Sequence, residues 1–72
     1  MNTTIKLLDV VALLEDLPAH NLLRGHVGTI VELLPGGALE VEFADDQGRT
    51  YAQLSLRPEQ VIPLRYSPGR VA

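Results

Sequence analysis

The sequence predicts a mainly β fold, a small and strongly bent barrel. The main observation is the stretch from Gly25 to Leu56, in which three segments of alternating apolar and polar residues are separated by two short turns. The composition fits a single domain spanning residues 1–72, and the chain contains no cysteine for a disulfide or a thiolate metal site. Because a domain of this length buries only about 60% of its unfolded surface, we expect a small core.

The segment 5–17 is the first element, and its pattern fits both a helix and a strand. The apolar residues that would share one helix face are Leu7, Val10, Val11, Leu14 and Leu17. As a strand from Asp9 to Leu14, the same segment would place Val11 and Leu13 on one face. The rest of the pattern is β, and a barrel needs a first strand that pairs with its last one. We therefore favour the strand and keep the helix as the alternative.

The next elements predict a loop followed by a hairpin. Residues 17–21 contain the proline and asparagine typical of a turn, and a second strand is expected over Val27–Leu34. Gly25 and Gly28 lie at its start, where glycine permits the bend and the close backbone approach that a small barrel requires. The sequence Pro35-Gly36-Gly37 predicts a hairpin loop with glycines at positive φ.

The second half of the chain completes the predicted barrel. A third strand over Ala38–Phe43 and a fourth over Thr50–Leu56 flank a turn at 45–48, whose glycine should be left-handed. Residues 57–60 suit one helical turn, since proline favours a first turn. A fifth strand at 61–66 contains a proline, which confines it to an edge or makes it irregular. The expected core residues are Ile30, Leu39, Val41, Phe43 and Leu54.

The order of these elements is that of an SH3-like five-stranded barrel with one short helical turn, ordered over about residues 5–66 with a frayed tail at 67–72. The segments DVVALLEDLP, RGHVGTIVEL and LEVEFADDQGRTYAQLSL, together with Glu59-Gln60-Val61, resemble a small prokaryotic family called domain of unknown function 4926. The resemblance implies a small prokaryotic β-barrel and an antitoxin-type, immunity-type or accessory partner of another protein. It supplies no catalytic residue to carry over.

Charge and hydropathy bear on partners and location. The net charge is −3, and the six basic residues are scattered: Lys6, Arg24, Arg49, Arg57, Arg65 and Arg70. We therefore do not expect nucleic acid as a partner, because proteins that bind it normally concentrate basic residues in a patch. No apolar run is long enough to span a membrane, and the first residues lack the pattern of a secretory signal, so the cytoplasm is expected. An apolar content of 46% suggests a contact surface for another protein or for self-association, as in a homo-oligomer.

The side chains that could perform chemistry have simpler structural explanations. His20 and His26 lie six residues apart and lack an obvious third metal ligand, and the two aspartates of the 45–48 turn suit turn geometry. We predict no catalytic residue, no cofactor and no metal. The candidate interaction surface consists of Arg24, His26, Arg49, Tyr51 and Gln53. The predicted function is a non-enzymatic protein-interaction module; the alternative is a nucleic-acid-binding module of the KOW type, in which residues beside the turn glycines contact RNA.

Overall fold

The alternating segments of the sequence form five antiparallel strands of one sheet. The computed structural model describes residues 5–65. Its strands are β1 (Val10–Leu13), β2 (Val27–Leu33), β3 (Leu39–Ala44), β4 (Thr50–Leu56) and β5 (Val61–Pro63). Short 3₁₀ turns occupy Pro18–His20, Pro35–Gly37 and Pro58–Gln60. The strand order is β4-β3-β2-β1-β5, so β4 and β5 are the edges of the sheet.

The mainly β class and its five strands are confirmed, and so is the strand interpretation of the first segment. β1 pairs with both β2 and β5, a position in which a helix could not satisfy the two neighbouring strands. The predicted helical turn is present at Pro58–Gln60, and two more 3₁₀ turns accompany it. The sheet is open: within residues 5–65, β4 and β5 do not pair to close a barrel. Tyr66 and the predicted frayed tail lie outside the described residues.

The core occupies one face of this sheet. The buried apolar residues among those described are Val11, Leu13, Leu22, Ile30, Leu39, Val41, Phe43, Leu56 and Val61. Four of the five predicted core residues are among them. Leu54 is only partly buried and packs against the margin of the core from the edge strand β4, whereas Leu56 on the same face of that strand is buried. The position of Leu54 corrects the prediction that it is fully enclosed.

Gly28 lies where β2 comes closest to β3. It is paired with Phe43 and is itself buried. A Cβ atom at this position would lie 2.7 Å from Cγ1 of Val41 and 3.0 Å from the carbonyl oxygen of Glu42. The close backbone approach predicted from this glycine is therefore confirmed. The β2–β3 register shifts between Ile30 and Glu32, a β-bulge that adds a bend to the same strand pair.

The turn at 45–48 is held by its first aspartate and its glycine. Asp45 Oδ1 accepts hydrogen bonds from the backbone N–H groups of Gln47 and Arg49, both at 2.9 Å. Gly48 has φ +79°, as the sequence predicts, and no atom within 4 Å would contact a Cβ there. The requirement for glycine at this position is therefore conformational and not steric.

Candidate interaction surface

The face of the sheet opposite the core carries an exposed apolar patch. On β1, Val11 and Leu13 point into the core, so Val10 and Ala12 point outward. The register places Ala12 level with Val27 of β2 and with Ile62 of β5. Directly opposite residues of paired strands share a face, so these three side chains form a row across β2, β1 and β5.

A second apolar row lies beside the first. The backbone N–H of Leu64 donates to the carbonyl of Val10 at 2.9 Å, which places Leu64 level with Val10. Val27 is 45% exposed, Ile62 48% and Leu64 36%. The outer apolar patch is defined by Val10, Ala12, Val27, Ile62 and Leu64. A contiguous exposed apolar area on a small domain typically marks a contact surface.

The other half of the outer face is polar and acidic. The row that contains Val10 continues across the sheet through Thr29, Glu42 and Gln53. In the next row, Glu32 is level with Glu40, and two carboxylates so placed repel each other. The outer face therefore has an apolar half on β5, β1 and β2 and an acidic half on β2 and β3.

Side chains of β4 hold the Glu40 carboxylate in position. Gln53 Nε2 donates to Glu40 Oε2 and Ser55 Oγ donates to Glu40 Oε1, each at 3.1 Å. Both donors are neutral, so the carboxylate is oriented while its charge stays uncompensated by these partners. The acidic half of the face is accordingly ordered and remains able to attract a cationic group.

His26 and Tyr51 are the two predicted surface residues that the structure brings together. Their rings meet edge to face with centroids 6.3 Å apart, although one precedes β2 and the other lies on β4. The His26 ring is also held by the backbone, because its Nδ1 accepts a hydrogen bond from the backbone N–H of Leu23 at 2.9 Å. Tyr51 is 48% exposed and, together with Gln53, lies on the outward-pointing side of β4.

The two predicted arginines are held in separate loops. The Arg24 backbone N–H donates to Asp16 Oδ1 at 2.8 Å, which ties the long loop between β1 and β2 together. Arg49 forms an exposed ion pair with Asp45, with Nε 3.6 Å from Oδ2. Among the contacts of residues 5–65, none links either arginine side chain to the His26–Tyr51 pair. The five predicted residues are therefore not joined by contacts into one cluster.

A shallow groove lies at the end of the sheet away from the His26–Tyr51 pair. It has a volume of about 310 Å³ and is lined by apolar side chains that include Ile5, Leu33, Leu39 and Pro58. This lining offers no acid, base or nucleophile. Within residues 5–65, no three His, Asp or Glu side chains gather as a metal site, and no helix is long and apolar enough to cross a membrane.

A protein-family model matches the part of the chain that forms the sheet. The model of the family described as Domain of unknown function (DUF4926) matches residues 7–63, which run from before β1 to the end of β5. The chain belongs to this family. No curated protein and no solved structure matches the chain. The DUF4926 match thus agrees with the resemblance seen in the sequence, and its description assigns no activity.

The sequence alone did not predict that the residues of the outer apolar patch lie together. A signal for it was present, because VVAL in β1 and VIP in β5 are apolar at both inward and outward positions. A half-buried strand normally alternates apolar and polar residues, so an apolar outward residue indicates that the second face is also covered or contacted. Grouping these residues required the strand register, which joins segments about 50 residues apart in the chain.

Proposed function

We propose that this DUF4926 domain is a non-enzymatic protein-interaction module of the cytoplasm, an accessory or antitoxin-type partner of another protein. The outer apolar patch carries the proposal. It is formed by residues from three strands whose other faces supply the core, so the sheet holds it rigidly. A rigid patch loses little conformational entropy when a partner binds, which favours recognition.

The chemistry of the face indicates the character of the partner. Beside the apolar patch lie Glu32, Glu40 and Glu42, and the whole chain carries a net charge of −3. A complementary surface would place apolar side chains over the patch and lysine or arginine over these carboxylates. Charge complementarity of this kind accelerates encounter and fixes orientation. We therefore propose a partner that presents a basic, amphipathic segment.

Affinity capture with matched variants tests this proposal. The tagged parent would be compared with a patch variant, Val27→Ser/Ile62→Ser, and with Leu33→Ser as a control. Leu33 is 52% exposed, similar to Ile62, but it borders the groove at the opposite end of the sheet. Such exposed substitutions usually change stability by no more than about 0.5 kcal/mol, which thermal melting of each variant would verify.

The expected result is a partner that the parent and the Leu33 variant retain and the patch variant loses. An acidic-face variant, Glu32→Gln/Glu42→Gln, should retain less of it, and raising the salt concentration should weaken capture by the parent. A partner that the patch variant binds as well as the parent does would contradict the proposed surface. Detection of enzymatic turnover by the isolated domain would contradict the non-enzymatic role.

A further inference from the structure

The two edges of the sheet are built differently. β5 is three residues long and contains Pro63, and both features discourage pairing with another strand. β4 has seven residues, TYAQLSL, with no proline and no charged side chain. Proteins commonly protect an exposed edge with charge, proline or short length. Within the described chain β4 pairs only with β3. A register shift between Phe43 and Ala44 marks a bulge at Tyr51 near the start of β4, and the regular edge left open runs from Ala52 to Leu56.

We propose that β4 pairs in antiparallel orientation with β4 of a second copy, forming a homodimer with a continuous sheet. A two-fold axis through Gln53, the central residue of the strand, pairs the regular segment 52–54 with its counterpart and places the bulged start of each strand beside the end of the other. In this register Gln53 faces its own counterpart, Tyr51 faces Ser55, and Ala52 faces Leu54. This surface is separate from the outer apolar patch, so it extends the proposed function without resting on it.

Pairing with a second copy in this register gives the core-facing side chains of β4 additional apolar neighbours. Ala52 and Leu54 are only partly buried and pack against the margin of the core. In the dimer each Ala52 lies opposite a Leu54, and the two pairs form a continuous apolar strip between the two cores. The second copy therefore covers Leu54, which is only partly buried in one copy.

On the outer face, the contact between the two β4 strands contains no charged side chain, and its polar side chains can form hydrogen bonds with each other. The two Gln53 amides meet at the axis, where each can donate to and accept from the other. Tyr51, which is 48% exposed, gains a neighbour in the partner copy's strand. The carboxylates of β3 stay one strand away from the contact, because Glu40 and Glu42 lie level with Ser55 and Gln53 on the far side of β4. No charged group is buried by the pairing.

The ends of the paired strands are also compatible with this register. It brings Arg49 of one copy level with Arg57 of the other, just outside the paired segment. Each arginine already has an acidic neighbour: Arg49 lies 3.6 Å from Asp45, and Arg57 lies 3.1 Å from Glu59. These ion pairs reduce the repulsion between the two arginines, and both are solvated.

A charge placed on the axis provides the test. Gln53→Lys would bring two lysines opposite each other in the dimer, while in a single copy the new lysine would face Glu42 and adjoin Glu40. The matched control is Thr29→Lys, which makes the same change of charge opposite the same Glu42 but on the central strand β2. Analytical ultracentrifugation of the full chain, from micromolar to millimolar concentration, measures the dimer dissociation constant.

We expect a concentration-dependent dimer for the parent and for Thr29→Lys, and a dissociation constant about fivefold or more higher for Gln53→Lys. Mixing Gln53→Lys with Gln53→Glu should restore dimerisation, because opposite charges then meet at the axis. A parent that stays monomeric to millimolar concentration would overturn the proposal. So would a dimer that Gln53→Lys leaves unchanged, or one that Val27→Ser/Ile62→Ser abolishes, since either places the contact elsewhere.

Discussion

Replacing Gly28 with alanine should destabilise the domain, although alanine normally suits a strand better than glycine. The added Cβ would lie 2.7 Å from Cγ1 of Val41 and 3.0 Å from both the Glu42 carbonyl oxygen and Cδ2 of Phe43. Val41 and Phe43 are fully buried, and the third contact is backbone, so none of these atoms can move away into solvent. The strand pair must therefore separate or its core must repack.

The expected net cost is about 2 kcal/mol. Overpacking of a filled core costs about 1–3 kcal/mol, and three close contacts place this site near the upper end. The gain in backbone entropy from replacing glycine offsets roughly 0.5–1 kcal/mol. For a domain of this size, a loss of about 2 kcal/mol corresponds to a fall in melting temperature of roughly 8–16 °C.

Thermal and urea melts of a double-mutant cycle would measure this effect and its cause. Val41→Ala removes the nearest atom, so Gly28→Ala/Val41→Ala should be more stable than the sum of the two single changes predicts, by about 1 kcal/mol. A Gly28→Ala protein that melts at or above the parent temperature would refute the close packing of β2 on β3. Strict additivity in the cycle would show that Val41 is not the obstructing side chain.

Three further predictions follow from the core, the second turn and the distribution of charge. Phe43→Ala should cost about 3–5 kcal/mol, a large share of the roughly 4–11 kcal/mol available to 72 residues; a melt within a few degrees of the parent would contradict the enclosed position of Phe43. Gly48→Val should cost at least about 1 kcal/mol and Gly48→Asn less, because asparagine tolerates positive φ; equal losses in urea melts would argue against a conformational cause. Binding of labelled RNA or duplex DNA should be no tighter than about 100 μM at physiological salt; tighter, salt-sensitive anisotropy changes that disappear in Arg24→Glu/Arg49→Glu would favour the KOW-type alternative.

The sequence by itself determined the β class, the central strands and the turn between β3 and β4. These features depend on local chemistry that is visible in a few neighbouring residues. Alternation in LEVEF places Phe43 inward whatever the partner strand is, and only glycine readily takes the φ of +79° at position 48. The requirement for glycine at position 28 could also be predicted from the sequence, since glycine inside a strand indicates close backbone approach.

The tertiary structure alone decided that β4 is an edge of the sheet and which side chains meet on the outer face. Periodicity in residues 5–17 fitted both helix and strand, and pairing with β2 and β5 made Val10–Leu13 a strand. Leu54 has the inward position of a core residue but is only partly buried on the edge strand β4, where Leu56 is enclosed. The outer apolar patch and the His26–Tyr51 contact join residues far apart in the chain. Their proximity follows from strand order and register, which non-local packing sets and local propensity does not encode.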